Sequence, residues 1–270
     1  MIRKIVYISF LTLLLQTTAV FAGSTDNEEL KKKNSNSSAN ECFEGFSRVM
    51  FKFNLGLDKV IFKPVAKGYR ALPSPIRKGT GNAVDNLRSL LSMTNSVLQG
   101  DFSRAGNTAG RFAINTTAGI LGFFDPATKM GFEDQGKEDF GQTMGAWGID
   151  SGCYFVMPVL GPTTARDAIG LVGNTILDPV YQITHNTEIS NGVIGNASYS
   201  EHNYYYYRGT GAVDFRAKNI ETFESLEQNS IDLYASLKSL YLQDRSKKIL
   251  NSDTTIETQD DSDWEEIETK

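Results

Sequence analysis

The residues best suited to chemistry crowd into one turn. Gly131-Phe-Glu-Asp-Gln-Gly136-Lys137 follows the first seven positions of a phosphate-binding loop, in which backbone N–H groups and a lysine cradle phosphate. Glu138, however, stands where that loop needs a Ser or Thr hydroxyl for its metal, and no strand pattern precedes it. Glu133, Asp134 and Glu138 would also repel a phosphate. The same carboxylates, with Asp139, could divide general acid and base work, but acids so close together on a turn read more simply as a solvated charged loop. Gly79-Thr-Gly81 and Gly209-Thr-Gly211 lack the third glycine of a dinucleotide site. The chain has no Gly-x-Ser-x-Gly elbow and no His-Glu-x-x-His helix. Two separated histidines, His185 and His202, and two cysteines, Cys42 and Cys153, do not assemble four zinc ligands convincingly. The expectation is therefore no catalytic residue, no metal and no cofactor, in a protein that is not an enzyme.

The elements that would position these residues read as helices, because apolar side chains recur every three or four positions with little strict alternation. Phe43, Phe46, Met50, Phe53, Leu57 and Val60 or Ile61 form one stripe, expected to end near Pro64. Phe51, Leu55 and Phe62 lie off it, so this helix is apolar nearly all round and belongs either in a core or against lipid. A second stripe, Val84, Leu87, Leu91, Thr94 and Leu98, stops at Gly100. Asp101 is the expected N-cap of a third helix reaching about Gly119, where Ala105, Ala109 and Ala113, with Gly106 and Gly110, suggest close helix approach in a tight hairpin. Fourteen of the 24 glycines lie between Gly100 and Gly173, which predicts short helices joined by turns, either as a loop-rich core or as an apolar, glycine-hinged surface touching lipid. From Val213 to Tyr241 the pattern suggests one or two amphipathic helices. Tyr204 to Tyr207 fits either an aromatic belt at a membrane interface or ordinary packing.

The ends speak to compartment and charge. Arg3 and Lys4, the apolar run Ile5 to Leu15, and Val20-Phe21-Ala22 read as a signal peptide over residues 1–22, cut after Ala22. Gly23 and Ser24 stand where a lipoprotein signal would place its cysteine, so lipid modification is not expected there. Residues 23–41 are too polar to offset their ordering cost and read as a flexible tether. A body spanning residues 42–250 precedes an acidic tail over 251–270, in which Asp253 to Lys270 carry eight acids and one base. Without them the chain holds 24 acids (32 less 8) and 26 bases (27 less 1), so no basic excess argues for nucleic acid.

Several runs, in order along the chain, resemble the MlaA/VacJ family. They are Glu44-Gly-Phe-Ser-Arg-Val-Met-Phe-Lys-Phe-Asn54, Lys63-Pro-Val-Ala-Lys-Gly-Tyr-Arg70, Arg111-Phe-Ala-Ile-Asn-Thr-Thr-Ala-Gly119 and Glu138-Asp-Phe-Gly-Gln-Thr-Met-Gly-Ala-Trp-Gly148. Gly152-Cys-Tyr-Phe-Val-Met-Pro-Val-Leu-Gly-Pro162, Arg166-Asp167 and Tyr241-Leu-Gln-Asp-Arg245 extend the resemblance across about Glu41 to Arg245. It implies an all-α, ring-like domain embedded in the outer membrane of Gram-negative bacteria on its periplasmic side, with a central amphipathic channel. Implied too is a role in lipid asymmetry: phospholipid that has strayed to the outer leaflet passes through the ring to a soluble periplasmic carrier of the MlaC kind, and trimeric porins hold the ring in place. A soluble periplasmic enzyme or binding protein acting on a lipid-like substrate is the alternative.

On this resemblance Phe53, Asn54, Leu55 and Asp58 lie at the channel gate, where polar groups in a lipid setting must be paired or line a wet path. Gly141, Gly145 and Gly148 around Trp147 are expected either to hinge an apolar hairpin or merely to fit crowded helix contacts. Cys42 and Cys153 both stand where the family commonly has proline, which suggests a disulfide, with two separate buried thiols as the other reading.

Overall fold

The structure, a computed structural model, describes residues 41–185 and 202–251, which lie in one compact unit. The expected signal peptide and nearly all of the expected tether and acidic tail lie outside the described residues.

Helix α1 (Glu44–Leu57) runs through a π-helical turn (Asp58–Phe62) directly into α2 (Lys63–Arg70). Pro64 therefore does not end the segment. The Lys63 N–H reaches back to the carbonyl of Asp58, a widened turn, and Pro64 then falls in the first turn of α2, where a missing N–H is tolerated. Helices α3 (Ser74–Leu98) and α4 (Phe102–Thr117) form a hairpin. Its turn is set locally: Gly100 takes φ +80°, and the Asp101 side chain accepts the Arg104 N–H at 2.9 Å as an N-cap.

A short α5 (Pro126–Lys129) and α6 (Phe140–Ala146) lead to a β-hairpin, β1 (Tyr154–Met157) against β2 (Gly161–Thr164), antiparallel with Tyr154 opposite Thr164. These strands were not expected, yet Tyr154-Phe-Val-Met is an aromatic and β-branched run too short for a helix. Then follow α7 (Ala165–Leu177), α8 (Pro179–His185), α9 (His202–Lys218), α10 (Ile220–Asn229) and α11 (Leu233–Ile249). Where one or two C-terminal helices were expected, Asn219 and the segment 230–232 divide the chain into three.

Burial reverses the usual order of a soluble domain. Buried apolar side chains form three small clusters, around Tyr154, Val156 and Tyr234, around Ala66, Ala217 and Ile220, and around Val84, Tyr204 and Tyr207. Between them the interior is polar: α3 buries Asn86, Ser89, Ser92, Asn95 and Ser96, and α4 buries Arg104, Thr108, Arg111 and Asn115. Of the apolar stripe along α3, Val84 and Leu91 are buried but Leu87 and Leu98 are exposed. Ile169, Val172 and Ile176, spaced along one face of α7, are exposed as well. Apolar side chains left outside in such number suit an apolar surrounding, and the polar ones inside pair with one another.

The expected small-residue contact in the hairpin also differs. Ala105 is buried, but Gly106 faces open space and Gly110 receives the Phe132 ring, which a Cβ there would approach to 2.5 Å. The missing side chain thus admits a ring from the following loop rather than a second helix. Among the described residues no helix is long and apolar enough to cross a membrane.

Candidate functional site

A polar seam runs along the α3–α4 hairpin. On α3 the Asn95 amide donates to the Leu91 carbonyl at 3.0 Å, and its oxygen accepts the Thr143 hydroxyl at 2.9 Å. Gln99 donates to Glu138 at 2.9 Å and to Thr143 at 3.1 Å, while the Glu138 N–H donates to the Ser92 hydroxyl at 2.9 Å. From α4, Arg104 pairs with Glu138. Arg111 donates to Thr128 and to Asp125, each at 3.0 Å, and Asn115 donates to the other Asp125 oxygen at 3.0 Å. At one end the seam opens into a polar cleft of about 60 Å³ lined by Asn82, Asp85, Asn86, Ser89, Asp134 and Lys137. That is room for water or a small polar group.

The charged turn is not the solvated loop that was expected. Glu133 and Asp134 are exposed, but Glu138 is only 4% exposed; burial pushes its pKa up, against the Gln99 hydrogen bond and the Arg104 charge. Asp139 caps α6 by accepting the Gln142 N–H at 2.9 Å. Burial would raise its pKa too, yet the Arg245 guanidinium, at 2.6 Å, reverses this and holds it at about 2. Arg245 binds Asp167 as well, at 2.8 and 3.0 Å, so one cation joins α6, α7 and α11. These long-range partners have no sequence signal. Every buried acid in this group already has an arginine, and His185 stacks on Tyr181 with ring centroids 4.0 Å apart, so no acid and base converge on a common point here. Among the described residues no group of three His, Cys, Asp or Glu could hold a metal ion.

The gate residues fall in two anchored places, on α1 and at the π turn. Asn54 clasps the β-hairpin turn: its amide donates to the Met157 carbonyl at 2.8 Å and its oxygen accepts the Val159 N–H at 2.7 Å. Asp58, at the start of the π turn, forms a two-pronged ion pair with Arg216 of α9 at 2.7 and 2.8 Å. Leu55 is half-buried and Phe53 exposed. Both polar residues are thus paired, and α1 is tied through them to β1–β2 and to α9.

The three glycines differ. A Cβ on Gly141 would lie 2.6 Å from an Asp167 oxygen, and one on Gly145 would lie 2.8 Å from Ile249. Both sit in crowded contacts. Gly148 has φ +84° and open space around it, as a helix C-terminus requires. Cys42 and Cys153 are joined as a disulfide, with Cα atoms 5.6 Å apart, pinning the chain ahead of α1 to the start of β1. The tyrosine run divides, with Tyr204 and Tyr207 buried and Tyr205 and Tyr206 exposed.

What sequence reasoning missed is the seam. Asn82, Asn86, Ser89, Ser92, Ser96 and Gln99 recur three or four apart along α3, a polar stripe as regular as the apolar one beside it.

Comparison with known proteins places this arrangement. The family model for the MlaA lipoprotein matches residues 39–248. A Haemophilus influenzae protein described as the intermembrane phospholipid transport system lipoprotein MlaA is 32% identical over 244 residues, covering 89% of this chain and 90% of that one. The Escherichia coli K12 protein of the same description is 39% identical over 128 residues, 46% of this chain and 51% of that one. A solved structure described as the structural basis for maintenance of bacterial outer membrane lipid asymmetry superposes with a TM-score of 0.64 at 28% identity, covering 78% of this chain and 99% of that one. Both of these relatives are described as lipoproteins of a transport system. With the match running from the N-terminus of α1 nearly to the end of α11, the chain belongs to the MlaA lipoprotein family.

Proposed function

We propose that this protein removes mislocalised phospholipid from the outer leaflet of the outer membrane and passes it toward a soluble periplasmic carrier, preserving lipid asymmetry. One observation carries the reading: the polar side chains lie inside the α3–α4 hairpin while large apolar ones lie outside, which suits a body set in lipid around a polar path. Head groups would follow the polar side and acyl chains the apolar side. The protein lies in the outer membrane on its periplasmic side, held beside a trimeric porin. Asn54, Leu55 and Asp58, with Phe53 at the surface, form the gate, because the segment is apolar but for two polar residues that lock it to its neighbours. Gly148 serves as the pivot for Trp147 and the segment after α6, since it alone of the three glycines has open space.

The test is a chromosomal deletion scored for outer-leaflet phospholipid and complemented by this chain. Complementation should restore asymmetry, and a variant lacking Asn54 and Leu55 should be inserted stably yet change the direction or rate of leakage. A stably inserted parent that leaves surface phospholipid unchanged would overturn the transport reading. A deletion variant that behaves as the parent would overturn the gate.

A further inference from the structure

The segment from α1 to α2 is fixed at both ends and unsupported in the middle. α1 is held on the β-hairpin by the Cys42–Cys153 disulfide, by the Ser47 hydroxyl, which accepts the Val156 N–H at 3.2 Å, and by the Asn54 clasp. α2 is held on α9, where Ala66 packs with Ala217 and the Tyr69 hydroxyl donates to Asp214 at 3.1 Å. The π turn that joins them, Asp58–Phe62, has no buried residue, and its Val60 is 75% exposed. A widened turn is less favourable than the α-helix on either side of it, so one that no core supports is held by something else.

Charge is what holds it. Lys59 reaches Glu227 at 2.6 Å and Lys63 reaches Glu224 at 2.8 Å, but both pairs are partly open to solvent and contribute little. The Asp58–Arg216 pair differs: it is forked, the Arg216 side chain is 12% exposed, and its guanidinium lies 4.9 Å from the centre of the Phe223 ring. Its third nitrogen, Nη1, is shut from solvent without a hydrogen-bond partner, so among the described residues every hydrogen bond of this guanidinium goes to Asp58. Glu224 and Glu227 of α10 lie within electrostatic reach of it and are the other partners open to it.

A π turn carries one residue more than an α turn. If it closed to α-helical spacing, that residue would join the helix and α1 would rotate against α2 by about 100°, the angle between successive helical residues. Asn54 cannot follow such a rotation and keep both of its bonds, to Met157 and to Val159. We propose that Arg216 is the positioning residue of the gate: its fork on Asp58 keeps the joint between α1 and α2 in the π form, which holds Asn54 on the β-hairpin and fixes the direction in which Phe53 to Asp58 face. Without that fork the turn closes, the clasp opens and the gate rotates. This deepens the gate reading and rests on it.

The test uses the extra residue. Hydrogen exchange is followed in the full chain in detergent at Val159, whose N–H is bonded to Asn54. R216Q should speed exchange there by about ten-fold or more, D58N should do the same from the other side of the pair, and R216K, which keeps the charge without the fork, should fall between. Deleting Val60 from R216Q removes the residue that the closed turn would add, so this double variant should regain slow exchange at Val159 and clear surface phospholipid as the parent does in complemented cells. A deletion would not repair the loss of an ion pair that served stability alone. Should R216Q fail to fold, D58N with and without Val60 carries the same comparison. Exchange at Val159 as slow in R216Q and D58N as in the parent overturns the positioning role, and so does a deletion that leaves exchange fast. Clearance keeps the readings apart. If exchange responds and is rescued as expected but R216Q clears phospholipid as the parent does, the gate reading fails while the joint stands. If exchange responds and is rescued but the parent itself clears nothing, the transport reading fails alone.

Discussion

A buried carboxylate stays charged only beside a cation, and Arg245 is that cation for both Asp139 and Asp167. Arg245→Met leaves the half-buried Asp139 without a cation and Asp167 with Arg166 alone, at 3.2 Å, so we expect it to cost up to about 3–5 kcal/mol, read as a fall in the denaturant midpoint. Loss below 1 kcal/mol would mean that solvent reaches the cluster. The same pair sets an acid limit. Asp139 titrates at about 2 in the folded chain against its ordinary 3.8, and Asp167 is also lowered. A depressed folded value stabilises above the unfolded pKa and is lost as pH falls, so Asp139 alone contributes about 2 kcal/mol near neutrality that disappears between about pH 4 and pH 2. Thermal melts of the parent should steepen in that window, and those of Arg245→Met should not. The Cys42–Cys153 bridge, 111 residues apart, is worth about 4–5 kcal/mol on the chain-entropy argument. Thiol counting on denatured, unreduced protein should find no free thiol, and C42S/C153S should melt well below the parent; two free thiols remove the bridge.

At the scale of elements, α3 carries the argument. Its C-terminal limit, and the cap of α4 at Asp101, are legible because capping and left-handed glycine are local chemistry, whereas its start at Ser74 has no side-chain cap and lies ahead of the apolar stripe that begins at Val84. Its facing is not. Periodicity says that Val84, Leu87, Leu91 and Leu98 share a side and that Asn86, Ser89, Ser92 and Ser96 share another, but the usual assumption of water outside buries only the apolar side, whereas here the polar side is buried throughout and the apolar side only at Val84 and Leu91. The same limit hides Glu138, whose burial depends on Arg104, distant in sequence. Short strands such as Tyr154–Met157 fail for a different reason, since four residues give too few alternations to register. The gate segment was readable as an apolar helix with two polar residues, while their partners, Met157, Val159 and Arg216, come from far along the chain. Asn95→Leu tests the seam directly. It removes the Asn95 oxygen that accepts from the buried Thr143 hydroxyl at 2.9 Å and leaves that hydroxyl only the Asp139 carbonyl at 3.2 Å, so we expect a loss of about 0.5–1.5 kcal/mol in thermal unfolding despite the added apolar surface. Stabilisation instead would mean that the seam is an ordinary core contact with poorly chosen residues.

For the whole molecule the question is what covers the apolar exterior. Ile120 and Leu121 hold φ +53° and +56°, a conformation that costs of order 1–3 kcal/mol per residue, and both side chains are exposed. Strain of this kind persists where it places side chains usefully, and here it turns two large apolar groups outward. On α7, Ile169, Val172 and Ile176 present a continuous apolar line with exposures of 62%, 62% and 52%. In water this surface would drive association between copies. In lipid it is simply solvated, and no membrane-crossing helix is needed for a body that sits within one side of the bilayer. A charge placed on that line distinguishes the two. Val172 touches neither the seam nor the Arg245 cluster through any hydrogen bond, so Val172→Asp should leave the melting temperature in detergent within about 2 °C of the parent. An acidic side chain at lipid depth costs up to about 3 kcal/mol, so the vesicle-bound fraction measured by flotation should fall by about ten-fold or more, and high-salt washing should not release the parent. If Val172→Asp floats with vesicles as the parent does, α7 faces water or another protein, and the lipid-facing surface must be sought on the loop at Ile120 and Leu121 instead.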